Sequence, residues 1–309
     1  MFRATSIHTG QDVDAEDLWS MEPVDPDGFV CPDCGSKVYP TSYRPENLRR
    51  AHFAAKPKCP PWCPSNGEAE LLKRARTESL SAQDGSFPGY MPAGFRLPAE
   101  TAPADGAPGA SATEGEGKGR RAPATPPEQG ARQRARITTS FRDICRAYLN
   151  FPNDRHRELH FLDLYGTTYD EVIWRLRTRQ EQLIRYPIPH LFHGPIGWRA
   201  PEVTDEYALI EMDVKEWHDG KPGRPYQVKV PWSDWSQRQR NALLREVETA
   251  SNEAKDLKKA GSKDRSLLFF VGQQDKSDDA TFVVTERKLI CCLTGFDGRP
   301  VASRTRRKA

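Results

Sequence analysis

Five residues that can bind a soft metal ion lie within 33 residues near the start of the chain, and the rest of the sequence has no comparable cluster. They are Cys31, Cys34, His52, Cys59 and Cys63. Thiolates and imidazoles are the ligands that zinc takes in proteins. In a protein from a reducing compartment, this density of cysteines predicts a zinc site rather than a set of disulfide bonds.

The spacing of the cysteines supports a zinc site. Two residues separate Cys31 from Cys34, so a tight turn can direct both sulfurs at one ion, and Gly35 can take the positive φ that the turn needs. Cys59 and Cys63 would complete a tetrahedral set of four thiolates. This set is favoured because the two prolines between Cys59 and Cys63 pre-shape a second turn.

Two alternatives stay open at this point. His52 can take the place of Cys59 or Cys63, which gives three thiolates and one imidazole. Cys59 and Cys63 can also be buried small apolar residues, with no metal bound. With a metal, the segment gains folding free energy that so short a core cannot supply alone, so residues 1–82 are predicted to form a zinc-ribbon-like module with structural Zn²⁺ as its cofactor.

The order of these residues resembles the zinc-ribbon-like N-terminal module of competence protein CoiA-like proteins. The matching positions are Cys31 and Cys34, the run 52–54 (His-Phe-Ala), Cys59 or Cys63, and the segment 68–70 with its two glutamates. The resemblance covers residues 22–80. In that family the module precedes a nuclease-like domain and the proteins handle incoming DNA, so the resemblance implies DNA binding or nuclease activity for this chain.

The composition limits how many domains the chain can form and which partners its overall charge can attract. Its 309 residues allow two domains, but 26 Pro and 22 Gly against 37% hydrophobic residues predict that part of it is not folded. The formal net charge of +3 provides no global attraction to nucleic acid, so such binding needs local basic patches. Residues 1–6 carry no apolar signal region, and no apolar run approaches the length of a membrane span. We expect a soluble, cytoplasmic protein with no membrane partner.

Residues 1–20 are polar and are predicted to be a frayed terminus whose Trp19 docks on the zinc module. A helix is predicted from Glu68 to Leu80, with Ser65 or Asn66 as its N-cap. Basic side chains in and before this helix can form a phosphate-binding surface or a solvated helix face: Arg49, Arg50, Lys73, Arg74 and Arg76.

Two further segments are predicted to be disordered. Residues 83–135 are rich in Pro, Gly and Ala and cannot bury enough apolar surface to offset the entropy of ordering, so they read as a flexible linker. Residues 299–309 form a basic tail. Both segments can contact a polyanion, and the linker can recruit a protein partner.

Residues 136–298 are predicted to form a mixed α+β domain. Its predicted helices are 141–149, capped by Thr139 or Ser140, one from a capping box at 168–171 through Leu183, and one over 237–259, opened by Ser236 and ended by Gly261. Its predicted strands are 159–165, 190–196, 207–217, 225–230, 267–271, 281–285 and 289–293, with a hairpin at the turn residues 219–223.

One predicted strand carries candidate catalytic residues. Period-2 alternation places Glu211, Asp213 and Lys215 on one strand face. Nucleases that hold Mg²⁺ on a strand use an upstream acid followed by acid-x-Lys. Asp213 and Lys215 fit the second part, and Glu202 or Asp205 supplies the first. A solvated strand face explains the same charges.

Aromatic residues between basic ones give a second signal in this domain. These rings can stack on unpaired bases while neighbouring cations hold phosphates, or they can be part of the core: Trp198, Trp217, Tyr226, Trp232 and Trp235. The sequence as a whole predicts a zinc protein that binds nucleic acid, DNA in preference to RNA, through basic surfaces of both domains. Its alternatives are a Mg²⁺-dependent nuclease and a zinc-dependent protein-interaction adaptor.

Overall fold

A computed structural model describes residues 1–47, 49–81, 91–97, 137–179 and 181–298. Within these ranges the chain forms four α-helices and 18 β-strands, which confirms the predicted α+β class. The predicted basic tail, 299–309, and most of the predicted linker lie outside the described residues.

The chain begins with a five-stranded antiparallel sheet in the order β2-β1-β3-β4-β5. Its strands are β1 (Arg3–Ser6), β2 (Asp12–Asp14), β3 (Phe29–Val30), β4 (Lys37–Thr41) and β5 (His52–Ala55). A 3-10 helix, Ala15–Trp19, follows β2.

The prediction of a frayed terminus over residues 1–20 is therefore wrong. Ala4, Ala15 and Leu18 are at most 2% exposed and share a small core with Phe29 and Phe53. No long apolar run marks this region because β1 contributes single small residues between polar ones and gains its stability by pairing on both edges. The expected packing of Trp19 against the same core is confirmed.

Helix α1 (Pro64–Ala75) starts four residues before the predicted helix, directly after Cys63. The N-cap residue is Cys63, and neither Ser65 nor Asn66 has that role. Pro64 favours this start because its fixed φ suits the first helical position, where an N–H would have no partner inside the helix. Leu71 and Leu72 of α1 pack against the core of the second half of the chain.

Part of the predicted linker is a buried strand. β6 (Gly94–Phe95) lies between β7 (Ile137–Thr138) and β8 (His160–Phe161), parallel to both. Met91 is 3% exposed and Phe95 is 7% exposed, and the Phe95 ring stacks on Phe161. The apolar side chains of this short segment, although the surrounding sequence is rich in Pro and Gly, provide enough apolar surface for it to pack in the core.

The largest sheet has eight strands in the order β13-β14-β15-β17-β16-β12-β9, with β18 beside β16. Its strands are β9 (Ile173–Arg175), β12 (His190–Pro195), β13 (Glu202–Val203), β14 (Tyr207–His218), β15 (Lys221–Pro231), β16 (Asp264–Gln274), β17 (Thr281–Val283) and β18 (Ile290–Phe296). A separate pair is formed by β10 (Thr178–Arg179) and β11 (Gln182–Leu183).

Two helices cover opposite faces of this sheet. Leu267 and Phe269 of β16 share a core with α2 (Phe141–Asn150), whereas Leu268 and Phe270 share a core with α4 (Gln237–Lys259). Both faces of β16 are buried, so the strand reads as a continuous apolar run instead of an alternating pattern.

Several predicted elements are confirmed closely. Helix α4 has the predicted bounds, a complete capping box at Ser236 and a positive φ at Gly261. Ser140 caps α2 by accepting the Asp143 N–H. The predicted hairpin is formed by β14 and β15.

The predicted helix through Leu183 is wrong. α3 (Tyr169–Val172) ends after four residues, and the chain continues as β9 in parallel pairing with β12. The local capping signal favoured a helix, but Val172 and Ile173 are β-branched and pairing with β12 decides the conformation. The strand predicted at 159–165 is also shorter, since only β8 forms there.

Candidate metal centre

The four cysteines come from two loops and one helix start. Cys31 follows β3 and begins a turn in which the Gly35 N–H donates to the Cys31 carbonyl at 2.9 Å and the Cys31 N–H donates to the Ser36 carbonyl at 2.7 Å. Gly35 takes φ +70°, as the spacing predicts. Cys59 lies in the loop after β5, and Cys63 caps α1.

Their sulfur atoms gather at one point. All four lie within 4.8 Å of one another, and the Cys31 and Cys63 sulfurs are 3.8 Å apart. Four thiolates around zinc at the usual bond length of about 2.3 Å would be separated by about 3.8 Å, whereas a disulfide requires about 2.05 Å. The four cysteines are free, so this group can hold a metal ion.

Burial disfavours the charged thiolate form of these cysteines when no cation neutralises it. Burial raises the pKa of Cys63 to about 11 and raises the pKa of Cys59 further, with the neighbouring thiols adding to the effect on Cys59. Burial opposes ionisation of Cys34 as well, but hydrogen bonding to Ser36 outweighs it and lowers that pKa to about 7. A bound cation would stabilise all four thiolates together.

Helix α1 adds a favourable field. Its first turn follows Cys63 directly, and the N-terminal end of a helix carries partial positive charge that stabilises nearby anions. Ser65 in the same turn lies 3.7 Å from the Cys31 sulfur, and its hydroxyl donates to Asp33 at 3.0 Å. Through Ser65, the first turn of α1 therefore contacts both the cysteine group and Asp33 in the turn after β3.

His52 does not join the gathered sulfurs. It lies on β5, and its Nδ1 is 3.2 Å from the Arg50 carbonyl oxygen. Of the two ligand sets that the sequence left open, the geometry brings together the one with four cysteines.

The candidate catalytic residues are not gathered in the same way. Asp213 and Lys215 form an ion pair with each other at 2.9 Å, and Glu211 lies 3.5 Å from Arg199. The pairing of β14 with β15 shifts register between Glu211 and Lys215, so the strict alternation on which the prediction depended is interrupted there.

Neither of the two candidate upstream acids takes part in the Asp213–Lys215 ion pair. Glu202 is exposed on the short strand β13, and the Asp205 carbonyl accepts a hydrogen bond from Arg240 at 3.3 Å. Among the described residues, the four cysteines are the one group of three or more His, Cys, Asp or Glu side chains placed to share an ion.

Among the residues of the predicted basic surface, Arg50 differs most from the prediction. Its guanidinium is 11% exposed and donates to Glu16, Glu253 and the Cys292 carbonyl, so it is an interior contact rather than a phosphate ligand. Lys73, Arg74 and Arg76 stay on the surface beside Glu70, Glu78 and Asp264 respectively. Arg49 is exposed.

The predicted stacking residues are largely internal. Trp232 is 1% exposed and its Nε1 donates to the Thr204 carbonyl at 3.0 Å, so it belongs to the core beneath α4. Trp235 is half-buried and packs on Trp232. The alternative of core packing therefore describes Trp232.

An exposed tryptophan lies elsewhere. Trp198 is 48% exposed, and the Lys258 ammonium lies 4.2 Å from the centroid of its ring. The signal in the sequence was a Trp in a polar loop, together with the run of lysines that ends α4.

The chain matches no protein-family model, no curated protein and no solved structure. The resemblance to CoiA-like proteins thus stays a prediction from the cysteine motif. Among the described helices, none combines the length and the apolar character needed to cross a membrane.

Proposed function

We propose that the protein is a zinc protein that binds nucleic acid. The four cysteines hold one structural Zn²⁺ ion, because four soft sulfur donors within 4.8 Å of one another suit zinc and fill its four coordination positions, with none left open for a substrate. Iron is the other metal that such a set can take, and metal analysis separates the two.

The ion completes a core that is small without it. The buried cluster of the N-terminal sheet has ten members, and three of them are the ligands Cys31, Cys59 and Cys63. With so little apolar surface, the two loops need the metal to stay together.

The nucleic-acid surface lies at the end of α4. We define the α4 basic surface as the exposed ring of Trp198 with Lys255, Lys258, Lys259, Lys263 and Arg265, all exposed. An exposed indole beside unburied cations binds unpaired nucleic acid by stacking on bases and attracting phosphates.

The observation that carries the proposal is an ion pair between the end of α1 and the edge of this surface. Arg76, which follows α1, reaches Asp264 at 3.3 Å, and Asp264 lies in the chain between Lys263 and Arg265 of the α4 basic surface. The ion pair brings the C-terminal end of α1, with Lys73 and Arg74 in its last turn, next to that surface. We therefore propose single-stranded DNA as the preferred ligand of this region.

The first test measures zinc per chain by elemental analysis in the unmodified protein, in Cys31→Ser and in His52→Ala. The proposal expects about one zinc per chain, loss of zinc in Cys31→Ser and full retention in His52→Ala. Absence of zinc in the unmodified protein contradicts the metal assignment.

The second test measures fluorescence anisotropy of labelled single-stranded and double-stranded DNA. Trp198→Ala should weaken single-stranded binding by about 1–3 kcal/mol, while Trp217→Ala, which removes an equally exposed indole from the β14–β15 hairpin, should not. The logarithm of the binding constant should fall linearly with the logarithm of salt concentration, and the magnitude of this slope should decrease by about 1 in Lys263→Ala. If no DNA binds at low salt, the alternative of a protein-interaction adaptor is favoured. If DNA is cleaved in a reaction that needs Mg²⁺ and Asp213, the alternative of a nuclease is favoured.

A further inference from the structure

Buried polar atoms without partners concentrate in one place. Among the described residues, seven buried side-chain nitrogen or oxygen atoms make no hydrogen bond, and four of them belong to Arg155, His193 and Asp297. Such atoms are rare because each costs the free energy of leaving water without a replacement. Three neighbouring residues that share four of them indicate a ligand site.

The sheet brings two of the site's residues side by side. His193 on β12 is in register with Arg175 on the parallel strand β9, so their side chains lie on the same face. Asp297 follows β18, and its Oδ2 forms an ion pair with Arg175 Nη2 at 3.1 Å that does not meet hydrogen-bond geometry.

Arg155 closes the site from the loop after α2. Its guanidinium carbon lies 3.7 Å from the Tyr148 ring centroid, its Nε donates to the Tyr148 carbonyl at 2.9 Å, and its Nη1 reaches the Gly298 carbonyl at 3.3 Å. These contacts fix the guanidinium plane. Nη2 is left with two N–H bonds and no acceptor among the described residues.

His193 is held rigidly but is not hydrogen-bonded. Its ring stacks on Phe269 and meets the Tyr148 ring edge to face, with centroids 5.0 and 5.1 Å away. Its Nδ1 is 3.7 Å from Asp297 Oδ1, which is too long for a hydrogen bond. Burial, with Arg155 and Arg175 nearby, lowers the pKa of His193 to about 3, so the imidazole is neutral and has one donor and one acceptor to satisfy.

Positive charge exceeds negative charge around these atoms. Arg155, Arg175, Arg177 and Arg265 act on His193 or Asp297, whereas the acidic groups are Asp297 itself and Asp170, which interacts with Arg155. The inner atoms are enclosed, with Arg155 4% exposed and His193 fully buried, while the Arg175 side chain is 44% exposed and faces solvent. Arg175 is therefore the member of this group that a small anion would contact first from solvent.

We propose that Arg155, Arg175, His193 and Asp297 form a binding site for hydrogen phosphate or for a terminal phosphomonoester. The phosphate oxygens accept from Arg155 Nη2 and from Arg175, as guanidinium groups and phosphate oxygens pair in proteins. The P–OH group donates to Asp297 Oδ2, and His193 completes the set through either nitrogen.

The carboxylate makes the site selective. Sulfate offers acceptors only, so it would face the Asp297 carboxylate with like charge and have no hydrogen to donate to it. Hydrogen phosphate has both acceptors and a donor, and a site built around a hydroxyl donor rejects an analogue that lacks one. Free hydrogen phosphate carries this P–OH at neutral pH, and the 5′-phosphate of an oligonucleotide carries it in its monoanionic form, below a pKa of about 6. This proposal does not depend on the zinc centre or on the α4 basic surface.

Isothermal titration calorimetry of the full chain in phosphate-free buffer tests the proposal, with inorganic phosphate and sulfate at equal ionic strength. Phosphate should bind about 10- to 100-fold more tightly than sulfate. Asp297→Asn should remove this preference, and Arg175→Gln should weaken phosphate binding by at least about tenfold, whereas Arg179→Gln, on the exposed strand β10, should change neither.

Thermal unfolding of the unmodified protein gives a readout that does not depend on the folding of any variant. Phosphate should raise Tm more than sulfate does at the same concentration, since a ligand that binds only the folded state adds to the general stabilisation that both salts give. Oligonucleotides with a 5′-phosphate and with a 5′-hydroxyl then identify the source: a Tm rise with the 5′-phosphate form alone supports a nucleic-acid terminus, and a rise with inorganic phosphate alone supports the free ion. No response to any phosphate, or equal binding of phosphate and sulfate, overturns the proposal.

Discussion

Arg50 and Glu253 are 203 residues apart in the chain and are joined by two hydrogen bonds, Nε to Oε1 at 3.0 Å and Nη2 to Oε2 at 2.8 Å. Arg50 also donates to Glu16 at 3.2 Å and to the Cys292 carbonyl at 2.7 Å. The N-terminal sheet is thereby joined to both α4 and β18 through one guanidinium.

Arg50→Ala should destabilise the protein by roughly 3–5 kcal/mol, because it leaves buried Glu16 without one of its cationic partners and Glu253 without its guanidinium. Urea unfolding measures the change. Arg49→Ala is the matched control, since the neighbouring exposed side chain should change the free energy of unfolding by less than about 0.5 kcal/mol. Equal effects of the two substitutions would contradict the role assigned to Arg50.

Glu16 gives the protein a defined acid sensitivity. Burial alone would raise the pKa of its fully buried carboxyl, but Arg146, Arg142 and Arg50 outweigh burial and lower it from 4.5 to about 2. A depressed folded-state pKa means that the stabilisation is complete above pH 4.5 and is lost as the pH falls towards 2.

Glu16→Gln should therefore lose about 3 kcal/mol at pH 7. The difference from the unmodified protein should shrink as the pH is lowered from 4.5 to about 2. Urea unfolding at pH 7, 5, 4 and 3 measures it, and a difference that is independent of pH would contradict the ion-pair origin of the stability.

Replacing the metal with Co²⁺ tests the ligand set directly. Four thiolates in tetrahedral geometry should give intense visible d–d absorption and strong thiolate-to-cobalt charge transfer. His52→Ala should leave the spectrum unchanged, and Cys34→Ser should weaken the charge transfer by about a quarter through loss of one sulfur. A spectrum that changes with His52 would replace the four-cysteine assignment.

Removing the metal with a chelator should unfold the N-terminal sheet before the large sheet. The small core around Phe29 and Phe53 depends on the ligand loops, while α2 and α4 cover an extensive core of their own. Amide exchange followed by mass spectrometry should show increased exchange first in residues 28–63, and readdition of zinc should reverse it. Uniform exchange across the chain would show that the two parts unfold together.

Gly35→Ala separates backbone strain from packing. An added Cβ meets nothing within 4 Å, so the cost comes from φ +70° alone and should be about 1 kcal/mol in stability. Zinc affinity should fall as well, because the same turn aims Cys31 and Cys34. Gly10→Ala is the control: it has φ +67° and open space, and it should lower stability without changing zinc affinity.

The parts of the fold that local chemistry specifies could be predicted from the sequence. The turn at Cys31–Cys34 and the capping of α4 depend on neighbours within a few residues. β9 could not be predicted, because a capping signal favoured a helix and pairing with a strand 18 residues later decided otherwise.

Charged and aromatic residues were the hardest to place from the sequence. Arginine is usually found at the surface, so the sequence predicts an exposed Arg50. Its burial depends on Glu253, which no local sequence pattern connects to it. For Trp232 the sequence left base stacking and core packing open, and its packing in the core beneath α4 decides between them. The site around His193 was invisible because its members come from four separate segments.

The Arg50 contact with the Cys292 carbonyl constrains how the protein can be made. The N-terminal sheet leaves the ribosome before α4 and β18, yet one of its interior hydrogen bonds needs a strand that is synthesised more than 200 residues later. During translation its interior arginine and Glu16 have no α4 or β18 to pack against. Early metal capture would then hold the nascent module in shape until its docking partner emerges.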